Sequence, residues 1–212
     1  MKQNVVLTDF YVDKNWSFLS VLTSIAGGTW SVEYRRASNQ YKLFHKIKSK
    51  LLFFIFPFQL IFRRKDYDII LAWQQFYGLN LAFFSRIFHL RKVNRLYVMT
   101  FIYKKKNGFI GAVYRWYINY IVTSKYVDKF ICFSKEEVAY YRTLFKVPDD
   151  KFIFVQLGLR PIMKEIHDGN YIFATGRSNR NYNFLVDVVR NSHYNLVIAS
   201  NPVSHKNSKN VT

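Results

Sequence analysis

Short apolar runs alternate with longer amphipathic segments along most of the chain, and this alternation predicts strands followed by helices. Parallel strands need crossovers of a dozen or more residues, which the helical segments supply. The predicted fold class is therefore α/β, a Rossmann-like parallel sheet with helices on both faces. The predicted strands are 4–8, 69–73, 95–101, 129–133 and 151–156, and the predicted helices are 16–26, 79–89, 109–124 and 135–145.

The same pattern restarts after a charged link at 160–169 that contains Pro161. A strand at 171–175, a loop at 176–181, a helix at 182–190 and a strand at 194–199 are predicted before the polar stretch 201–212. We therefore expect a Rossmann-like domain at 1–160, the incomplete start of a second one at 161–200, and a polar tail.

Composition narrows the partners. Half of the 212 residues are hydrophobic, a composition that excludes a disordered chain. The net charge of +19 favours polyanionic partners. Nucleic acid, acidic lipid headgroups and phosphorylated small molecules all fit the charge, but no helix-turn-helix, RNA-recognition or zinc motif is present, so no nucleic-acid partner is expected. A single cysteine, Cys132, and scattered histidines indicate neither disulfides nor a metal site, and fit a reducing cytoplasm.

One apolar segment, 51–62, is interrupted by Pro57 and is too short to cross a bilayer, which takes about 20 apolar residues. Cations flank it, a composition typical of a segment that rests in an anionic membrane interface. A buried helix with solvated ends fits equally well. The cations predicted to contact membrane or acceptor are Lys46, Lys50, Arg63 and Arg64, together with Lys104 and Lys105 in a loop beyond a predicted strand end.

Two short motifs lie where strands meet helices. Ser134 with Glu137 three residues on forms a capping box, and Ser134, Glu136 and Gly158 are candidates to line a cleft. Gly176, Arg177, Ser178 and Arg180 follow a predicted strand directly, where a helix N-terminus and two guanidinium groups suit a diphosphate. An ordinary turn with solvent-exposed arginines explains the second motif equally well.

The second half of the chain resembles glycosyltransferase family 4 and its GT-B relatives. The resemblance is carried by 127–134, by 151–158 with its closing glycine, and by 171–177, which ends in Gly-Arg; the run 176–182 looks like the donor-side loop of bacterial members. It covers the chain broadly from Asp66 onward, and the order of several landmarks carries it, not any single motif.

This resemblance implies a cytoplasmic enzyme, peripheral on the inner face of the cell membrane. It would transfer sugar from a UDP- or GDP-linked donor to a lipid-linked saccharide in surface polysaccharide synthesis. The N-terminal domain would handle the acceptor and the C-terminal domain the donor, with no cofactor and no essential metal. By similarity, Gly176, Arg177, Ser178 and Arg180 bind the donor, and no catalytic residue is assigned.

The sequence departs from the family in two ways. Thr100, Phe101 and Ile102 stand where many members carry a histidine, and the chain ends before the family's glutamate-containing donor motif. We therefore expect a truncated or split transferase. The alternative is a non-catalytic GT-B half that binds membrane or acceptor and needs a second chain to complete the donor site, with a basic nucleic-acid-binding protein as the weaker alternative.

Overall fold

A computed structural model describes residues 3–13, 15–35, 43–156, 158, 169–176, 181–190 and 192–199, without the side chains of 43–49. The chain divides into two compact units, Met1–Gly158 and Leu159–Thr212. Of the predicted link at 160–169 only Gly169 is described, and the predicted tail at 201–212 lies outside the described residues.

Unit 1 is built on a six-stranded sheet in which all neighbouring strands are parallel, in the order β2-β1-β3-β4-β5-β6. Each connection between consecutive strands contains a helix, as parallel pairing requires. Unit 1 is thus a Rossmann-like α/β domain, and the predicted fold class is confirmed. Its strands are β1 (Gln3–Thr8), β2 (Trp30–Tyr34), β3 (Tyr67–Ala72), β4 (Arg95–Val98), β5 (Lys129–Cys132) and β6 (Phe152–Phe154).

Helices cover both faces of this sheet unequally. The helices are α1 (Ser17–Ala26), α2 (Leu43–Arg63), α3 (Gln75–Ile87), α4 (Gly108–Val122) and α5 (Lys135–Phe145), with a short 3-10 helix, Arg64–Asp66, after α2. Buried residues of α2, α3, α4 and α5 pack with alternate residues of the strands into one large core, which includes Phe56, Leu79, Ile118 and Tyr141. On the other face, Val6, Leu71 and Met99 pack against half-buried residues of α1.

A buried polar network in the interior of the large core joins α2, α3 and α4. Pro57 lies inside α2 and has no N–H, so the carbonyl of Phe53, four residues earlier, loses its helical partner. Asn80 of α3 replaces that partner: its Nδ2 donates to Phe53 O at 2.7 Å, while its Oδ1 accepts from the Tyr117 hydroxyl of α4 at 2.7 Å. Asn80 is fully buried, and these bonds explain its presence there.

Unit 2 is a single parallel βαβ unit within the described residues. It consists of β7 (Tyr171–Thr175), α6 (Tyr182–Val189) and β8 (Asn195–Ala199). Its small core is Val186, Val189 and Leu196.

The sequence placed most helices and strands within a few residues, but it left α2 open between a buried helix and a membrane-interface segment, and it omitted one strand. The predicted limits of α5 and β7 match the structure, Ser134 caps α5 as expected, and α1 ends at Gly27, whose φ is +68°. The edge strand β2 was missed, because its alternating five residues carry a weak signal next to Gly27 and Gly28. No helix in the described part of the chain combines the length and the apolar character needed to span a bilayer.

Candidate functional site

The direction of the crossovers reverses between β1 and β3. From β1 the chain passes through α1 to β2 on one side, and α2 then returns past β1 to β3 on the other. In open parallel sheets the loops diverge at such a reversal and leave a crevice at the carboxyl ends of the strands, where ligands bind. In this chain the crevice is formed by the residues that follow β1 and β3.

A hydrogen-bonded pair, Asp9 and Gln74, lies at this reversal point. The backbone N–H groups of Trp73 and Gln74 both donate to Leu7 O, at 2.9 and 3.2 Å, which joins the two strand ends. Gln74 Nε2 donates to Asp9 Oδ2 at 2.6 Å, and Gln74 Oε1 accepts from Phe76 N at 3.3 Å and so caps α3. Because Gln74 is bonded at both ends, it fixes the half-buried Asp9 carboxylate at the crevice.

The neighbouring strand end adds a residue in the left-handed backbone region. Thr100, just beyond β4, has φ +51°, and its Oγ1 donates to Trp73 O at 3.3 Å. Such a conformation is unfavourable for a β-branched residue and is found preferentially at functional sites. Ile102 N donates to Gln75 Oε1 at 3.0 Å, so α3 holds this loop in place.

Aromatic rings surround the carboxyl ends of β1 and β2. Phe10 packs edge-on against Trp16 and Trp73, at 6.2 and 6.3 Å between ring centroids, and Tyr11 packs edge-on against Tyr34 at 5.7 Å. Phe10, Tyr11 and Tyr34 all remain exposed. The crevice therefore combines a positioned carboxylate with exposed aromatic rings.

Arg35 brings a cation to the same end of β2. Its backbone N donates to Thr8 O at 3.3 Å, and its own carbonyl accepts from the Tyr77 hydroxyl at 2.8 Å. Burial, followed by the nearby Asp9 carboxylate, raises the pKa of Tyr77 to about 12, so this hydroxyl remains a neutral donor near pH 7. Its bond to Arg35 attaches the end of β2 to α3.

Two of the three predicted cleft residues, Ser134 and Glu136, lie at the start of α5. Ser134 Oγ accepts from Glu136 N at 3.2 Å and Glu137 N at 3.4 Å, and donates to the Glu136 carboxylate. Bonding to Ser134 and to its own backbone lowers the pKa of Glu136. Glu136, not the expected Glu137, thus supplies the carboxylate that bonds to the cap. Gly158 has no left-handed φ, and no atom of the described residues lies within 4 Å of where an added Cβ would stand, so the described surroundings do not require glycine.

Only one of the four predicted donor residues is described. Gly176 follows β7 with φ +139°, a conformation that favours glycine, and its carbonyl accepts from the Tyr182 hydroxyl at 2.7 Å. Asn181 caps α6 through a bond from Phe184 N at 3.1 Å. Arg177, Ser178 and Arg180 lie outside the described residues.

The cations predicted for membrane or acceptor contact separate into two groups. Arg63 forms a two-point ion pair with Glu33, at 2.9 and 3.3 Å, and Arg64 donates to Ile61 O at 2.6 Å, so both hold the C-terminal end of α2 in place. The second group lies elsewhere: Lys50 is in the middle of α2, and Lys104 and Lys105 lie with the adjacent Lys106 in the loop before α4. All four lysines are exposed. The side chain of Lys46 lies outside the description.

The described residues offer no alternative chemical centre. No group of three or more His, Cys, Asp or Glu among them is close enough to hold a metal ion. Cys132 is buried within the large core, and burial raises the pKa of its thiol to about 12, which leaves it a protonated, unreactive side chain. Among the described residues of unit 1, the crevice at the reversal point combines a fixed carboxylate with exposed aromatic rings, and it is the candidate functional site.

Comparison with protein-family models and with curated proteins found no match for the chain. The assignment of function therefore depends on the geometry described above and on the motifs of the sequence.

Sequence reasoning missed the crevice residues. Asp9 and Gln74 are 65 positions apart in sequence, and neither belongs to a recognisable motif. The available signal was topological: polar residues directly after two buried strands lie at the same sheet edge once the strands are known to be parallel neighbours.

Proposed function

We propose that the chain acts as a glycosyltransferase of the two-Rossmann-domain kind. The donor is a UDP- or GDP-linked sugar, and the acceptor is a lipid-linked saccharide of surface polysaccharide synthesis on the inner face of the cell membrane. The observation that carries the proposal is the succession of a Rossmann-like unit and a separate unit that holds a parallel βαβ motif, whose first strand, β7, is followed directly by Gly176.

The crevice of unit 1 suits a saccharide acceptor. Sugar rings present C–H groups on their faces and hydroxyls at their edges, so they bind to sites that combine aromatic rings with a few fixed polar groups. Tyr11 and Tyr34 supply exposed rings, and Asp9 supplies an acceptor for a sugar hydroxyl. In the proposed reaction Asp9 orients that hydroxyl and accepts its proton as the hydroxyl oxygen forms the glycosidic bond, while the bond between the donor sugar and the diphosphate breaks and releases UDP or GDP.

The turn after β7 suits the donor diphosphate. Gly176 allows close approach to the backbone, and in sequence two cations, Arg177 and Arg180, lie between it and the residues of α6. Guanidinium groups stabilise the charge that develops on a nucleoside diphosphate leaving group, which lowers the barrier to sugar transfer.

Calorimetric titration with UDP, GDP and a panel of nucleotide sugars tests the proposal. We expect saturable binding of one nucleotide class, weakened about tenfold or more in both Arg177→Ala and Arg180→Ala, because each removes a charge-assisted contact. The matched control is Arg190→Ala in the same unit, since Arg190 pairs with Asp187 at 3.0 Å at the far end of α6.

The same preparations test the acceptor site. Asp9→Asn is expected to retain nucleotide binding and to lose most transfer of labelled sugar to lipid acceptors, because the carboxylate is removed without loss of its bond to Gln74. Absence of nucleotide binding, or equal weakening by Arg190→Ala, would contradict the donor-site assignment.

A further inference from the structure

We propose that the outer surface of α2, α3 and α4 binds an anionic phospholipid of a bilayer, with an acyl chain along an apolar groove and the phosphate in an adjoining basic pocket. The inference deepens the membrane part of the proposed function and depends on that part alone. It requires no nucleotide sugar and no transfer activity.

The apolar groove crosses α3 between α2 and α4 and has a volume of about 580 Å³, within the range of small-molecule sites. Its described lining is almost entirely aromatic and aliphatic, and the cations among these described residues are Lys50 from α2 and Lys106 from the loop before α4. The apolar lining residues are Phe53, Phe54, Phe76, Phe83, Ile110, Val113, Tyr114, Trp116 and Tyr117. A groove of this composition suits a hydrocarbon chain.

The basic pocket adjoins the groove and has a volume of about 560 Å³. Lys105, Lys106 and Arg115 line it, and Lys106 and Trp116 line both cavities. Gly111 keeps the loop against α4, because a Cβ at this position would clash with the Lys106 carbonyl oxygen. The Lys106 ammonium lies 4.6 Å above the centre of the Tyr114 ring, at the boundary between the two cavities. The arrangement places an anion site at one end of an apolar channel.

Large apolar side chains stand exposed on α4 around these cavities. Phe109 is 84% exposed, Ile110 76% and Trp116 58%. Residues 109, 110, 113 and 116 recur at helical spacing, so they form one continuous stripe. Soluble proteins rarely expose contiguous stripes of this kind unless the stripe is an interaction surface.

The charge of this surface selects a bilayer over a second copy of the chain. The sequences of α2, α3 and α4 contain no Asp or Glu. Two copies that met through this face would bring lysine against lysine, which is unfavourable. An anionic lipid surface satisfies both the cations and the apolar stripe, as in helices that lie in the membrane interface.

Vesicle sedimentation tests the inference with the whole chain. We expect binding to vesicles of phosphatidylglycerol and phosphatidylcholine, and about tenfold weaker binding to phosphatidylcholine alone, since each basic residue near an anionic surface favours binding. Ile110→Ser and Lys106→Glu should each weaken binding about fivefold or more. Ile25→Ser is the matched control, because Ile25 is 80% exposed on α1, which covers the opposite face of the sheet, and Lys135→Glu on α5 is the charge control.

Fluorescence locates the contact. Brominated acyl chains should quench the wild type, and most of that quenching should disappear in Trp116→Phe, because Trp16, Trp30 and Trp73 belong to the opposite face of the sheet. Unchanged quenching in Trp116→Phe would overturn the proposal. Displacement of the chain from vesicles by inorganic phosphate at matched ionic strength would also overturn it, because that result would assign the surface to free phosphate. A dimer that Ile110→Ser dissociates would overturn it too, because that result would assign the surface to a second copy of the chain.

The two proposals fail separately. A chain that binds vesicles through α4 and binds no UDP or GDP would refute the glycosyltransferase proposal and leave the lipid site standing. A chain that binds nucleotide but not anionic vesicles would refute the lipid site and leave the donor-site proposal standing.

Discussion

The two faces of the six-stranded sheet differ in how they are covered. One face carries four helices and the large core, with fully buried side chains such as Phe56 and Leu79. Within the described residues of unit 1, the other face carries α1 alone, and α1 has no buried residue of its own. The strand order causes this difference, because only the first crossover runs to one side of β1 and every later one runs to the other.

The same elements have a side that packs into the core and a side that we propose for binding. The inner sides of α2, α3 and α4 make most of the core, while their outer sides expose aromatic and basic residues. The crevice lies at the strand ends, outside the core. We therefore expect core substitutions to change stability, and substitutions on the outer sides or at the strand ends to change binding.

Matched leucine truncations give the largest expected effect. Leu79→Ala, in α3, should lower the free energy of unfolding by about 3 kcal/mol, because it leaves a cavity in a tightly packed core. Leu22→Ala, in α1, should lower it by about 1 kcal/mol, since this side chain is half-buried and its site partly fills with water. Urea denaturation of both variants measures the difference. Equal losses would show that α1 carries as much of the stability as the four-helix face does.

The sequence predicted the fold better than it predicted the site. Buried parallel strands such as β1 and β3 read as continuous apolar runs, and Ser134 marks the start of α5 directly. Helix α2 was harder to interpret, because a helix that is apolar on both its inner and outer sides lacks a clear polar face. For that reason the segment 51–62 fitted a buried helix and a membrane segment equally well.

The site depends on contacts that sequence spacing does not reveal. The bond from Gln74 to Asp9 joins two strand ends, and it follows from a strand order that includes β2, which the sequence did not predict. The apolar groove and the basic pocket proposed for lipid likewise form only when α2, α3 and α4 are packed together. Arg63 shows the opposite case: it appeared as a free surface cation in sequence, whereas the structure pairs it with Glu33.

The polar network inside the four-helix face gives the second prediction. Asn80→Leu should lower the free energy of unfolding by about 2 kcal/mol, because the Phe53 carbonyl and the Tyr117 hydroxyl lose their buried partner. Thermal and urea unfolding measure the loss.

A second substitution identifies its cause. Pro57→Ala restores an N–H that can bond to Phe53 O within α2, so part of the loss should be recovered in the double variant. The coupling between the two positions is expected to be about 1 kcal/mol. Strictly additive effects would show that Asn80 does not act through the carbonyl that Pro57 leaves free.

The smallest expected effect concerns the cation at the edge of the same face. The Lys151 ammonium donates to the carbonyls of Ser124 and Val127, and burial lowers its pKa from the usual 10.5 to about 8. Among its charged neighbours, Asp128 and Asp150 oppose this shift, while Lys92 and Lys129 add to it. The folded chain thus loses this proton at a lower pH than the unfolded chain does.

The sign of the pH dependence follows from this difference. Below pH 8 both states hold the proton and the full cost of burying the charge is present, whereas between pH 8 and 10.5 the unfolded state holds more protons and stability rises with pH. From pH 7.5 to 9.5 the wild type should gain about 1 kcal/mol over Lys151→Met, a value reduced for the partial exposure of the group. Lys129→Met, which removes a neighbouring ammonium paired with Asp150 at 2.6 Å, should keep most of the rise because Lys151 is intact. The measurement stops at pH 9.5, because ionisation of Tyr67 and Tyr77, whose pKa values burial raises to about 12, lowers stability as pH rises from 10 to 12. If the free energy of unfolding of the wild type and of Lys151→Met changed with pH in parallel, the Lys151 ammonium would be as well solvated in the folded chain as in water. The four-helix face would then contain no buried charge at this edge.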